Sequence, residues 1–297
     1  PPSETGAAQH RRILAFGDSL TSGLYYGGER DERFAPYGEF LAEALASEVA
    51  AEVLVCGLIG LTETQRYEFE SAVGMQEMLK AGRIRDNLNR VGKGLQRILL
   101  EDGPFDLVLI MAGSTDLGAG EHLEPQSLAT RVQGLHSACH ELGVPTVVLA
   151  VPPNGDTAAG QGGSEVSKRL LSCHSRWTCI NNLLREWAWG SGAEDGVALF
   201  VDTASIIPYS VESGLWEEDG LHLAAAGSQR LGEGLAPLLI PLLQSGGHLP
   251  VPRPSLWAPR QQEDSGNPTA TSHHLVPSRT LSMPFRVTPP PNSSTSR

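Results

Sequence analysis

Cysteine is scarce in this sequence, with four residues in a chain of 297. Four cysteines are too few for a disulfide scaffold, and no two of them form a Cys-x-x-Cys pair, which argues against a structural zinc site. Cys173 and Cys179 are near enough in sequence to pair in an oxidising compartment, and free buried thiols are the alternative. The other two are Cys56 and Cys139. No feature of the sequence indicates a compartment or an oligomeric state.

Long apolar runs and an excess of positive charge are also missing. The longest apolar stretch, residues 235–243, is interrupted by Pro237 and Pro241, and a membrane-spanning helix needs about 18 or more apolar residues. The sequence therefore predicts no transmembrane segment. Acidic residues outnumber Lys and Arg by 34 to 22, for a net charge of -12. Such a surface repels phosphates, so nucleic acid is an unsuitable partner.

Short apolar runs alternate with segments of helical periodicity through most of the chain. Runs of this kind, bounded by turn residues, are typical of strands buried on both faces of a parallel sheet. The pattern predicts a three-layer α/β/α sandwich, flavodoxin-like, with about five parallel strands. The predicted strands are residues 12–16, 52–56, 106–111, 146–151 and 197–201. The predicted helices are residues 37–49, 75–80, 88–100, 125–142, 166–189 (one helix or two) and 225–243.

The composition changes at residue 245, where Pro, Ser, Thr and Asn become frequent and hydrophobic periodicity ends. Residues 245–297 contain five arginines and two acidic residues. Such a segment buries too little apolar surface to offset the entropy lost on ordering. We predict a folded domain at residues 11–244 and a disordered tail at residues 245–297.

The first three strands end in polar turns, and the carboxyl ends of parallel strands meet at one edge of the sheet. Ser19 follows the first, Gly60 the second and Thr115 the third. Near the end of the domain, Asp219 and His222 are three residues apart, just before the last helix. A serine hydroxyl needs a base to become a nucleophile, and that base needs an acid to orient it. Ser19, His222 and Asp219 supply these three roles.

These blocks resemble the SGNH hydrolases, also called GDSL esterases and lipases. The first block is Phe16-Gly17-Asp18-Ser19-Leu20, the second is centred on Gly60, and the last is Asp219-Gly220-Leu221-His222. The resemblance covers residues 11–244 and implies a serine esterase that needs no metal or cofactor. It implies Ser19 as nucleophile, His222 as base and Asp219 as its acid, with a small-molecule ester, of short-acyl or acetyl type, as substrate.

The third block departs from the family pattern. The resemblance assigns the oxyanion hole to the backbone N–H groups of Ser19 and Gly60 and to an Asn in the sequence Gly-x-Asn-Asp. Here Thr115 takes the place of that Asn. Threonine also has a donor, but its side chain is shorter and stiffer. The alternative function is therefore a catalytically weakened or inactive SGNH-fold protein that acts as a binding or scaffold module.

The sequence gives less support to two further hypotheses, a phosphorylated signalling domain and a metal site. Phosphorylation of Asp18 in an acidic signalling domain would need a lysine at a neighbouring strand end, and none is present near Thr115 or Pro152. His136 and His140 lie four residues apart on a predicted helix, a spacing that suits a metal. No acidic residue lies at a spacing that would supply the third ligand, so a solvated or capped pair of histidines is the favoured interpretation.

Overall fold

The computed structural model describes residues 10–28, 32–59, 84–85, 91–118, 124–155 and 165–245, with the backbone alone at 84–85, 91, 115, 118 and 165–173. By its internal contacts the chain divides into Pro1–Pro252 and Arg253–Arg297, and every element below belongs to the first unit. The predicted tail, apart from residue 245, lies outside the described residues, so its disorder stays a prediction.

A five-stranded sheet forms the centre of the described fold, with strand order β4-β1-β7-β8-β9. All four pairings are parallel, as the alternation of strands and helices predicts. Two short antiparallel ribbons accompany it, β2 with β3 and β5 with β6. The strands are Arg11–Gly17 (β1), Leu24–Tyr25 (β2), Arg33–Phe34 (β3), Ala51–Gly57 (β4), Ile84–Arg85 (β5), Val91–Gly92 (β6), Leu107–Met111 (β7), Thr146–Leu149 (β8) and Val197–Val201 (β9).

Helices cover both faces of this sheet, as the three-layer prediction requires. The helices are Ser19–Ser22 (α1), Tyr37–Leu45 (α2), Leu95–Glu101 (α3), Ser114–Gly118 (α4), Pro125–His140 (α5), Glu165–Trp189 (α6), Ser191–Asp195 (α7) and Ala225–Gln244 (α8). The predicted helix at 166–189 is therefore one helix. The predicted helix at 75–80 lies outside the described residues.

The core has two halves because neighbouring strand residues point to opposite faces. Leu14 and Phe16 pack in the half covered by α3, α5 and α6. Ile13 and Ala15 pack in the half covered by α2 and α8. All four are fully buried, and burying a large apolar side chain contributes about 1.5–3 kcal/mol. Because both faces of β1 are buried, its residues from Ile13 to Phe16 are all apolar.

The prediction of a helix at residues 88–100 is wrong at its start. Residues 91–92 form β6, and the helix begins only at Leu95 with Gly94 as its N-cap. Gly92 and Gly94 disfavour a helix interior, where glycine costs about 1 kcal/mol relative to alanine. The two glycines thus prevent a helix in the first half of this segment, although its apolar residues have helical spacing.

Two glycines let the chain pass closely at the edge where β1 ends. A Cβ on Gly17 would lie 2.1 Å from the carbonyl oxygen of Met111, and one on Gly57 would lie 2.1 Å from the backbone nitrogen of Ser22. No side chain fits at such distances. Glycine at both places therefore brings the ends of β1, β4 and β7 together around α1.

Candidate active site

Ser19 is the first residue of α1 and follows β1 through a tight turn at Asp18. Asp18 is the N-cap of this short helix, and its Oδ1 accepts a hydrogen bond from the backbone N–H of Leu20 at 3.0 Å. Asp18 Oδ2 accepts a hydrogen bond from the hydroxyl of Ser114, in the turn after β7. Asp18 is 1% exposed. It therefore anchors the turn that presents Ser19, and its burial argues against phosphorylation there.

Asp219 and His222 form a second turn at the same edge. Asp219 Oδ1 accepts the backbone N–H groups of Leu221 and His222 at 2.8 and 2.9 Å, and Oδ2 lies 2.6 Å from His222 Nδ1. Burial alone would raise the pKa of Asp219, but the hydrogen bonds from His222 and Leu221 outweigh it and lower the pKa to about 2. Asp219 is therefore an anion at neutral pH.

The two turns meet although 203 residues separate them in sequence. His222 Nε2 lies 3.0 Å from Ser19 Oγ, and the two residues are 5% and 2% exposed. With Asp219 on Nδ1, the neutral imidazole holds its proton on Nδ1 and presents a lone pair on Nε2 to the serine hydroxyl. This arrangement is able to take a proton from Ser19 and stabilise the resulting imidazolium.

The predicted oxyanion hole is described only in part. The backbone N–H of Ser19 lies at the start of α1, where amide groups are free of helical partners. Thr115 lies in α4, which follows β7 at this edge, but its side chain is outside the described part. Gly60 lies outside the described residues altogether. The roles of Gly60 and Thr115 therefore stay predictions.

Sequence reasoning missed two links that organise this edge. One is the Asp18–Ser114 hydrogen bond, of which only the helix-capping half is readable from sequence, since Asp favours an N-cap. The other is Glu217, whose carboxylate reaches the backbone after β2. No local pattern signals a contact between residues about 190 positions apart.

His136 and His140 do not lie at this edge, and they are not a solvated pair. Both are buried, and both face the hydroxyl of Thr146, at 2.8 Å from His136 Nδ1 and 2.8 Å from His140 Nε2. Thr146 begins β8, at the edge of the sheet opposite Ser19. Among the described residues, no three His, Cys, Asp or Glu side chains converge on a common point. The pair is therefore part of the buried interior.

This histidine pair predicts a loss of stability in mild acid. Burial, with a smaller contribution from His140, lowers the pKa of His136 to about 3. Burial lowers the pKa of His140 to about 4, although Asp195 acts in the opposite direction. Trp187 packs against the His136 ring at 5.3 Å. Among the described residues, His136 Nε2 and His140 Nδ1 have no hydrogen-bond partner, so a proton added to either imidazole has no acceptor.

The unfolded histidines take up a proton as the pH falls through about 6.5, while the folded ones stay neutral. Stability is thus complete above this pH and declines towards the folded pKa values. We expect His136 alone to cost about 2 kcal/mol of unfolding free energy between pH 7 and pH 5. Urea unfolding at both pH values measures this change. His136→Gln should show a weaker pH dependence and the exposed His174→Gln an unchanged one; equal slopes in all three proteins would contradict the assignment.

The cysteines and the hydropathy of the helices are further features of the sequence that bear on function. Cys139 is buried, and Cys179 is exposed with a free thiol, so Cys179 forms no disulfide in this structure. In the part of the chain that the structure describes, no helix combines the length and the hydropathy of a membrane span.

Comparison with known proteins finds similarity in structure alone. No protein-family model matches the chain, and no curated protein matches it in sequence. An inhibitor-bound aryl esterase from M. smegmatis matches with a TM-score of 0.53 at 23% identity, over 78% of this chain and 99% of that one. Est24, a carbohydrate acetylesterase from Sinorhizobium meliloti, matches with a TM-score of 0.52 at 22% identity, over the same shares.

A lipase/acylhydrolase from Enterococcus faecalis is also similar, with a TM-score of 0.51 at 18% identity, over 78% of this chain and 96% of that one. Each match spans nearly the whole of the other protein and 78% of this chain. Together with the parallel sheet of order β4-β1-β7-β8-β9, they show that this chain has the three-layer α/β/α fold of the SGNH hydrolases, the family that its sequence resembles.

Proposed function

We propose that this protein is a serine esterase that hydrolyses short-acyl or acetyl esters of carboxylic acids through an acyl-enzyme. The observation that carries the proposal is the array Ser19–His222–Asp219, joined by contacts of 3.0 and 2.6 Å. A hydrogen-bonded nucleophile, base and orienting acid is the arrangement that serine hydrolases on unrelated folds share.

In the first half of the reaction, Ser19 Oγ attacks the ester carbonyl carbon while His222 Nε2 accepts the hydroxyl proton. The tetrahedral oxyanion is stabilised by N–H donors, among them the backbone amide of Ser19. As the intermediate collapses, His222 gives its proton to the leaving alcohol oxygen, and the acyl group stays on Ser19. Asp219, held as an anion, stabilises the imidazolium throughout.

In the second half, a water molecule takes the place of the alcohol. His222 accepts a proton from this water, which attacks the acyl-enzyme carbonyl, and the collapse returns Ser19 Oγ with a proton from His222. The acid leaves, and the starting state is restored. No step draws on a group beyond these side chains, backbone donors and water.

The size of the acyl group is proposed from access to Ser19. Ser19 and His222 are almost fully buried, which favours small acyl groups over long chains. The solved structures of similar fold include a protein described as a carbohydrate acetylesterase, and this description agrees with a small acyl group.

Hydrolysis of p-nitrophenyl acetate, butyrate and octanoate tests this function. We expect kcat/KM to be highest for acetate and to fall as the acyl chain lengthens. A maximum at octanoate would contradict the short-acyl assignment. No hydrolysis of any ester would favour the alternative of a binding module that keeps the fold, with the substitution at position 115 as its cause.

Thr115→Asn is expected to raise kcat on p-nitrophenyl acetate by about 10-fold or more. Losing one side-chain oxyanion donor costs about 10²–10³ in kcat where it has been tested, and Asn restores the amide donor that the family pattern has at this position. Thr115→Ala serves as the control that removes any donor. An unchanged or lower rate in Thr115→Asn would show that position 115 does not limit the oxyanion hole.

A further inference from the structure

Glu217 connects the turn of the Asp219–His222 pair to a distant loop. Its backbone is fixed on both sides: its N–H donates to the carbonyl of His222 at 2.9 Å, and its carbonyl accepts the N–H of Gly220 at 3.0 Å. Its side chain reaches across the site. Oε2 accepts the backbone N–H groups of Tyr26 and Gly27 at 3.2 and 3.0 Å.

The loop held in this way is one that would otherwise have many conformations. Gly27 and Gly28 both have positive φ angles, of 58° and 76°, and consecutive glycines lose more conformational entropy on ordering than other residues. A carboxylate that accepts two backbone N–H groups forms charge-assisted hydrogen bonds, which are about twice as strong as neutral ones. Glu217 therefore selects one conformation of this loop.

The selected conformation places Tyr26 beside the imidazole. The Tyr26 and His222 rings meet edge to face, with centroids 6.2 Å apart and planes at 79°. Tyr26 is half-buried, and a ring this close to the imidazole is within reach of a group bound at His222. A group that reacts at His222 Nε2 passes close to this ring.

The role of His222 in the proposed mechanism identifies the half of the ester that comes close to Tyr26. His222 must protonate the leaving alcohol oxygen, so that oxygen lies within hydrogen-bond distance of Nε2 when the acyl-enzyme forms. The acyl half stays bonded to Ser19 Oγ, and its carbonyl oxygen turns to the oxyanion donors. The alcohol half is consequently the part of the substrate that meets Tyr26.

We propose that Tyr26 recognises the alcohol half of the ester through its ring, with a preference for flat or ring-shaped alcohols, and that Glu217 is the positioning residue that holds Tyr26 in place. This inference rests on the proposed esterase function and adds the alcohol specificity to it. An aromatic contact of this kind contributes about 0.5–1.5 kcal/mol beyond area burial, which corresponds to a selectivity of roughly 2- to 10-fold.

Two substrate series test the role of Tyr26. The alcohol series compares phenyl acetate with ethyl acetate, and the acyl series compares p-nitrophenyl acetate with p-nitrophenyl butyrate. In Tyr26→Ala we expect the phenyl-to-ethyl ratio of kcat/KM to fall about 5- to 10-fold relative to wild type, while the acyl ratio stays within 2-fold. Tyr26→Phe should keep both ratios. A change of both series by the same factor, or of neither, would overturn the role of Tyr26.

Three variants test the role of Glu217. Glu217→Ala should raise KM for phenyl acetate about 5- to 10-fold with kcat within 2-fold, and Glu217→Gln, which keeps an oxygen acceptor, should restore most of that loss. The exposed neighbour Glu218→Gln is the matched control. Because Glu217 acts through Tyr26, the double variant Glu217→Ala/Tyr26→Ala should be no worse than Tyr26→Ala alone. Additive losses would show that Glu217 does not act through Tyr26.

Amide hydrogen exchange tests the positioning role of Glu217 independently of ester hydrolysis. The amides of Tyr26 and Gly27 should exchange at least 10-fold faster in Glu217→Ala than in wild type or Glu218→Gln, whether or not esters are hydrolysed. Unchanged exchange would overturn the positioning role while the esterase function stands. A wild-type protein that hydrolyses no ester would overturn the esterase function and the role of Tyr26, and the exchange result would still decide what Glu217 holds.

Discussion

Ser19→Ala is expected to lower kcat on p-nitrophenyl acetate by about 10⁶-fold, the loss found when the nucleophilic serine of a serine protease is removed. Without Oγ, no acyl-enzyme forms, and His222 has no hydroxyl proton to accept at 3.0 Å. The remaining rate reflects water attack at the oxyanion donors.

A loss of folding must be separated from this loss of chemistry. The serine side chain is small and nearly buried, so alanine fits in its place, and the melting temperature of Ser19→Ala should stay within a few degrees of wild type. Ser175→Ala, an exposed serine on α6, should keep full activity. Ser19→Ala with more than a tenth of the wild-type rate would rule out Ser19 as the nucleophile.

Asp219→Asn is expected to lower kcat by about 10⁴-fold, as the equivalent change does in a serine protease. The amide oxygen of Asn is able to keep the backbone hydrogen bonds from Leu221 and His222, so the turn keeps its shape. The amide carries no charge to stabilise the imidazolium. Its NH2 group also favours the imidazole tautomer with the proton on Nε2, which cannot accept from Ser19.

The pH dependence gives an independent check of this role. Because hydrogen bonds from His222 and Leu221 lower the pKa of Asp219 to about 2, its charge is constant from pH 4 upward. Protonation of Asp219 should therefore contribute nothing to the pH dependence of kcat/KM above pH 4. Glu218→Gln should have the wild-type profile. A near wild-type rate in Asp219→Asn would show that Asp219 only shapes the turn.

The sheet could be predicted from sequence because its strands are local features. The strands predicted at residues 106–111 and 146–151 are observed as Leu107–Met111 and Thr146–Leu149, and every residue of both is buried. The edge where Ser19 and His222 meet follows from the rule that parallel strands end together. The helix boundary near Gly92 was wrong because apolar periodicity was weighed above the cost of glycine.

The interactions that tune the site could not be predicted in this way. The contact of Glu217 with Tyr26, the hydrogen bond of Ser114 to Asp18 and the shared hydroxyl of Thr146 join residues that no local pattern connects. Each depends on side-chain direction at the end of a strand or helix, which periodicity does not fix. The sequence predicted the proposed reacting groups, Ser19, His222 and Asp219, but not the groups that hold them.

Covalent labelling tests whether Ser19 is a nucleophile that His222 activates. A fluorophosphonate ester reacts with an activated serine to give a stable adduct that mass spectrometry locates on a peptide. We predict one adduct per chain, on Ser19, with complete loss of ester hydrolysis, no adduct in Ser19→Ala and labelling slowed at least 100-fold in His222→Ala. An unlabelled wild-type protein, or labelling at Ser19 that is equally fast without His222, would show that Ser19 is not a nucleophile activated by His222.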